Sequence, residues 1–164
     1  MMTAPVVLYE EEYEQLKSVI ARLCADANAK FVFLVDKNGQ QIAAHGEMLN
    51  LDTTSLASLT ASNVAATDGL AHLIGERGFP VLSHEGEHDN IYISIVASRI
   101  ILVVIFDNRS SLGLVRLRVK RATAEMTAIL EAIDAKVARE RQQGLNVNSP
   151  FAEITEEDID ALFR

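Results

Sequence analysis

Apolar residues recur at three- and four-residue intervals over residues 10–25, where Tyr13, Leu16, Ile20 and Leu23 share one side of a predicted helix. Glu10, Glu11, Glu12 and Glu14 crowd its N-terminal end, where the helix dipole favours carboxylates. The period then shortens. Residues 31–35 (FVFLV) and 40–45 flank Asp36-Lys37-Asn38-Gly39, and Asn-Gly between two β-rich runs signals a hairpin. Further on, residues 81–84, 91–96 and 99–106 read as three more strands. The last, RIILVVIF, is a continuous apolar run, as expected of an interior strand covered on both faces.

Between these strand groups lies a helix signal over residues 52–75. Asp52, Thr53, Thr54 and Ser55 offer N-caps, and Gly75, Gly78 and Pro80 supply the stop. Leu56, Leu59, Leu70, Leu73 and Ile74 form one apolar row, expected to pack into the fold. A second row, Ala57, Ala61, Ala65 and Gly69, repeats every four residues, and Asp68 is the only strong charge between Asp52 and Glu76. An ordinary surface helix has one buried stripe and one charged face. This helix is expected to be covered on both sides.

Residues 108–139 carry two patterns. Val115, Leu117 and Val119 alternate with Arg116, Arg118 and Lys120 as in a strand. Leu112, Val115, Val119, Ala122, Met126, Ile129, Ile133 and Val137 keep helical spacing over a longer span, which predicts one helix from about Ser111. Its start holds basic residues from Arg109 to Arg121 and no acid, which opposes the helix dipole and reads as a solvated face. The chain thus divides into a domain over residues 1–140, a polar linker over 141–150 and a tail over 151–164. In the tail Thr155 can cap a short helix with Glu156, Glu157 and Asp158 in its first turn. Ile159, Leu162 and Phe163 then fall on one side, a docking motif for a partner groove.

Composition narrows the function. A net charge of −8 argues against nucleic acid, whose binding rests on neutralising phosphates. The absence of Trp disfavours a stacking platform. No apolar run approaches the ~20 residues that span a bilayer, so no membrane insertion is expected. The single cysteine, Cys24, excludes an internal disulfide and fits a reducing cytoplasm; a small buried helix residue accounts for it.

The chain contains no phosphate-binding glycine loop and no zinc-protease pair. His84, Glu85, Glu87, His88 and Asp89 are metal-binding types, but they sit in a predicted hairpin turn without a thiolate or a fixed face, and no metal is expected. His45 and His72 are isolated. Ser110, Ser111 and Gly113 could open an anion-binding helix start, but turn formation explains them. No nucleophile, base and orienting group stand together, so no catalytic residue and no cofactor is expected.

The element order α-β-β-α-β-β-β-α predicts an α/β (α+β) sandwich on one five-stranded antiparallel sheet. With FLVDKNGQ at 33–40, DTTSLASLTASNVAA at 52–66 and VVIFDNRSSLGLVRLRVKRA at 103–122, residues 8–140 resemble the Roadblock/LC7 family. The tail SPFAEITEEDIDALF at 149–163 is similar to the C-terminal extension of a bacterial member. The resemblance implies a homodimer joined through the second helix and third strand, with Ala57, Ser58, Ser62, Val81 and Ser83 at the interface. It implies a small Ras-like GTPase, GTP-bound, lying on the groove of the two central helices over Ala65 and Gly69, with Ala61 and Asp68 beside them.

The activity implied is stimulation of GTP hydrolysis in bacterial cell polarity and gliding motility, in a cytoplasmic protein whose address includes a cell pole. Arg77, Arg99 and Arg109 lie in predicted loops or at element ends and could each serve as an inserted arginine. The resemblance implies instead that the dimer remodels the switch loops of a GTPase carrying its own catalytic groups. The tail row Ile159, Leu162 and Phe163 would dock away from the groove and act on nucleotide exchange. A scaffold that binds a GTPase or motor without accelerating hydrolysis is the alternative. A small-molecule sensor is less favoured, since the apolar strands hold no convergent polar groups.

Overall fold

A computed structural model describes residues 8–144 together with Ala161 and Phe163. The chain forms two compact units, residues 1–130 and 131–164. The elements are α1 (Glu10–Asp26), β1 (Phe31–Asp36), β2 (Gln41–Gly46), α2 (Thr53–Leu73), β3 (Val81–Glu85), β4 (Asn90–Val96), β5 (Ile100–Phe106) and α3 (Leu112–Gly144). All strand pairs are antiparallel, and the sheet order is β2-β1-β5-β4-β3. The run IILVVIF is the central strand, and every one of its residues is buried.

Successive residues of a strand point to opposite faces. Phe31, Phe33, Val35, Ile101, Val103 and Ile105 build one core layer with Ala57 and Val64 of α2. The alternate set, Val32, Leu34, Leu102 and Val104, is fully buried on the other face. That face belongs to Leu16, Ile20 and Leu23 of α1 and to Val115, Val119, Ala122 and Met126 of α3, which are buried but absent from the α2 layer. Arg22 of α1 pairs with Glu125 of α3 at 3.0 Å, joining the two helices. The helical reading of the 112–130 stretch therefore holds over the alternating one, and Leu117, an inward position of the strand pattern, is exposed. Leu112 is also exposed, and Leu130, outside the predicted row, is buried.

The β1–β2 hairpin is held by Asp36, which is buried and whose Oδ1 accepts from the N–H groups of Asn38 and Gln40, both at 2.9 Å. Gly39 closes the turn at φ +87, where an added Cβ would lie 3.3 Å from Ser58 Cα. Both the left-handed backbone and the tight neighbour oppose a side chain there. Gly39→Ala is therefore expected to lower unfolding stability by about 1–2 kcal/mol. Denaturant titration checks it, and an unchanged midpoint would contradict the packing described.

α3 runs to Gly144, so helix takes in the first part of the segment read as a linker. Of the tail row, Ile159 and Leu162 lie outside the described residues, and Phe163 is exposed. Cys24 is buried, with its Sγ 3.4 Å from the Ala29 carbonyl oxygen, and burial raises its thiol pKa.

Candidate functional site

α2 is delimited by the residues the sequence singles out. Asp52 caps it, accepting from the Ser55 N–H at 3.0 Å and from the Ser55 hydroxyl at 2.6 Å. The Ser55 hydroxyl, then its backbone N–H, hold the Asp52 carboxyl below its ordinary pKa. At the other end Gly75, at φ +79, donates to the His72 carbonyl while Glu76 N–H reaches the Ala71 carbonyl at 2.9 Å. This crossed pair satisfies the last carbonyls and stops the helix.

The buried positions of α2 are Ala57, Thr60, Val64 and Ala71. Leu56 packs at the edge of the core, but Leu59 (68% exposed), Leu70 (61%), Leu73 (81%) and Ile74 (70%) face outward. This reverses the expectation that the leucine row belongs to the fold. A helix lying close on a sheet seats itself through small residues, so here side-chain bulk does not mark the buried face. Within one chain α2 is covered on one side only.

The outward surface of α2 has two flanks. On the leucine side, Asn63 Nδ2 lies 3.0 Å from His84 Nε2, placing β3 beside this flank. β3 is an edge strand that pairs only with β4, and its Val81, Ser83 and Glu85 are exposed while Leu82 packs toward the core. Its other edge carries backbone groups without a strand partner, a template for pairing. On the second flank the β1–β2 hairpin approaches, with the Cβ position of Gly39 3.6 Å from Ala61 Cβ. Ala65, Asp68 and Gly69 are exposed there, and a Cβ added at Gly69 meets nothing within 4 Å.

Not every predicted interface residue is on this surface. Ala57 is 1% exposed and belongs to the core, out of reach of a partner. Ala61 is partly buried against the core. Ser58 and Ser62 are exposed on the ridge between the flanks, and the Ser62 hydroxyl donates to the Ser58 carbonyl at 2.9 Å. Leu59, Leu70, Leu73 and Ile74 are the surface residues that sequence reasoning assigned elsewhere. Among Leu, Ile and Val that signal exists only once the core face of α2 is known.

The three arginines have different settings. Arg109 is clasped by Asp107, Nη2 to Oδ2 at 3.0 Å and Nε to Oδ1 at 3.1 Å. The side-chain hydrogen bond, then the Asp107 charge, raise the Arg109 pKa, and the same bond, then the Arg109 backbone N–H, lower that of Asp107. Arg77 stands in the loop after α2, exposed, and Arg99 is half-buried after the β4–β5 turn. The histidine and acid cluster disperses, since His84 faces Asn63 and Asp89 pairs with Lys30 at 3.0 Å. Among the described residues no three His, Cys, Asp or Glu side chains gather as a metal site. Ser111 caps α3, its Oγ accepting from Leu114 N–H at 3.2 Å, and Ser110 Oγ donates to the Ala27 carbonyl. Among the described residues no helix is long and apolar enough to cross a membrane.

The chain is a sandwich in which helices cover both faces of the sheet and α2 leaves an apolar flank beside an open sheet edge. Residues 16–106 match the Roadblock/LC7 domain, and the chain belongs to that family. Within it the chain is similar to MglB of Myxococcus xanthus, at 62% identity over 77% of this chain and 96% of that one, with a TM-score of 0.74. It is also similar to the gliding protein MglB of Thermus thermophilus, at 31% identity over 80% of this chain and 99% of that one, TM-score 0.74. An MglB structure with a tetrameric arrangement matches at 32% identity over 80% of this chain and 99% of that one, TM-score 0.75. A comparison with curated proteins gives no match.

Proposed function

We propose that this protein is a GTPase-activating regulator of a small Ras-like GTPase of the MglA type in bacterial cell polarity and gliding motility. It works as a homodimer joined through the leucine flank of α2 and the β3 edge. The GTP-bound partner lies over the second flank, at Ala61, Ala65, Asp68 and Gly69, and the dimer remodels its switch loops. The observation that carries this reading is the outward face of α2. Four of the exposed large apolar residues, Leu59, Leu70, Leu73 and Ile74, lie at that face and its C-terminal end. Monomeric proteins rarely expose a contiguous apolar patch of this kind unless a partner covers it. The small residues alongside let a second backbone approach closely.

The reading assigns no catalytic residue to this chain. Arg109, the arginine nearest the start of α3, is already engaged by a carboxylate, which an inserted arginine would have to leave. The C-terminal row Ile159, Leu162 and Phe163 docks on the GTPase elsewhere and promotes nucleotide exchange. The protein acts in the cytoplasm, concentrated at a cell pole.

GTP turnover by the cognate GTPase, with and without this protein, tests the reading. We expect clear stimulation that survives Arg77→Ala, Arg99→Ala and Arg109→Ala at saturating concentrations. Loss of stimulation with binding intact in any of the three would put an arginine from this chain into the reaction. Binding without stimulation by the wild type would leave a scaffold for a GTPase or motor.

A further inference from the structure

A cleft of about 380 Å³ opens where the β1–β2 hairpin, the loop between α2 and β3, and the β4–β5 turn meet. Lys37, Asp68, Arg77, Phe79, Pro80 and Ser98 are among its walls. Those walls are fixed by backbone chemistry. The Asp36 carboxylate holds the hairpin that carries Lys37. The Ile95 N–H donates to the Pro80 carbonyl at 2.9 Å, tying down the entry to β3. Ala97 and Ser98 both adopt left-handed backbone, and Arg99 N–H closes their turn on the Val96 carbonyl at 3.0 Å.

The cleft gathers two cations that, like Arg116, Arg118 and Lys120 of α3, have no carboxylate partner among the described residues. Lys17, Arg22, Lys30, Arg109 and Arg121 each have a carboxylate partner. Among the described residues Lys37 and Arg77 have none, and Asp68 pairs with neither. Two unneutralised cations beside apolar Phe79 and Pro80, in a chain of net charge −8, invite an anion. Asp68 limits which one. A dianionic phosphate would sit against its carboxylate, whereas a single carboxylate leaves the two cations balanced by two acids. Asp68 also makes the cleft continuous with the strip of Ala65 and Gly69.

We propose that this cleft receives an acidic side chain of the GTPase docked on α2, so that Lys37 and Arg77 decide which GTPase is accepted and how fast it arrives. The inference rests on the GTPase reading above. Fixed charges at the rim of an interface act chiefly on association rate and partner choice.

The test compares association of the full-length protein with GTP-loaded GTPase at low and high salt, in wild type, Lys37→Glu, Arg77→Glu, Lys37→Arg and Ala65→Arg. Each charge reversal is expected to slow association about tenfold at low salt and to flatten the salt dependence, with dimerisation unchanged. Lys37→Arg should associate as the wild type does. Reversal variants with wild-type rates and salt dependence, while Ala65→Arg fails to bind, would overturn the cleft and leave the α2 site standing. Ala65→Arg binding normally while the reversals slow would sink the α2 site and keep the cleft. A wild type that binds no GTPase would overturn both. Inorganic phosphate titrated into the protein alone, read on the Lys37 and Ser98 amide shifts, should give no saturable change at millimolar concentration; saturation would make this a free-anion site instead.

Discussion

Ala65→Arg and Gly69→Arg are each expected to reduce GTPase binding by about a hundredfold or more, the range for a substitution at the centre of an interface, while the protein itself stays folded. Both positions are exposed and on the flank of α2 turned toward the hairpin. The space over Gly69 is open, so an arginine meets no clash within the chain. Helix propensity even favours the change, since glycine in a helix interior costs about 1 kcal/mol relative to good helix formers. The cost falls on the complex, where a long cation would occupy the gap that small residues leave for a partner backbone. Isothermal titration with GTP-loaded GTPase, beside thermal unfolding of each variant, separates the two effects. Binding that survives with both arginines would move the GTPase to another surface. Gly69→Ala, which adds a single methyl group, should be milder, and that gradation by size is the signature of close approach.

The elements of this fold are legible in the sequence because each carries its own punctuation. Asp52 caps α2, Gly75 ends it, Asn38-Gly39 turns the hairpin, and IILVVIF has no polar position to turn toward water. The orientation of α2 was not legible. Its core stripe is Ala57, Thr60, Val64 and Ala71, all smaller than the leucines that face solvent. Burial depends on how near the helix lies to the sheet, a tertiary distance that no periodicity encodes. The family resemblance implies Ala57 at the interface, but it is buried in the core, though its row partners Ala65 and Gly69 do reach the surface. A four-residue repeat drifts around a 3.6-residue helix, so one end of the row is core and the other is exposed. Lys37 and Arg77 lie forty residues apart in sequence, and only the folded hairpin and loop bring them to one cleft.

That reversal makes the leucine flank the place where self-association should be most sensitive. Leu70→Asp together with Leu73→Asp is expected to convert the dimer to a folded monomer. Each leucine is more than half exposed in the single chain, so its replacement removes little from the monomer core. Burying each against a partner contributes about 1.5–3 kcal/mol. The pair in one chain alone then weakens dimerisation by about a hundredfold to ten-thousandfold, the symmetric dimer incurs that loss from both copies, and carboxylates forced into an apolar interface weaken it further. Sedimentation at micromolar concentration checks the mass, and circular dichroism checks the fold. The β3 edge alone offers backbone pairing along Val81–Glu85, too short a ladder to hold two chains together without the apolar flank beside it. A dimer that persists in the double variant would therefore place self-association on a different face, and would release α2 and β3 together for other partners. If the monomer forms as expected but still stimulates GTP hydrolysis, one copy suffices for catalysis, and the paired central helices serve only to recruit the GTPase.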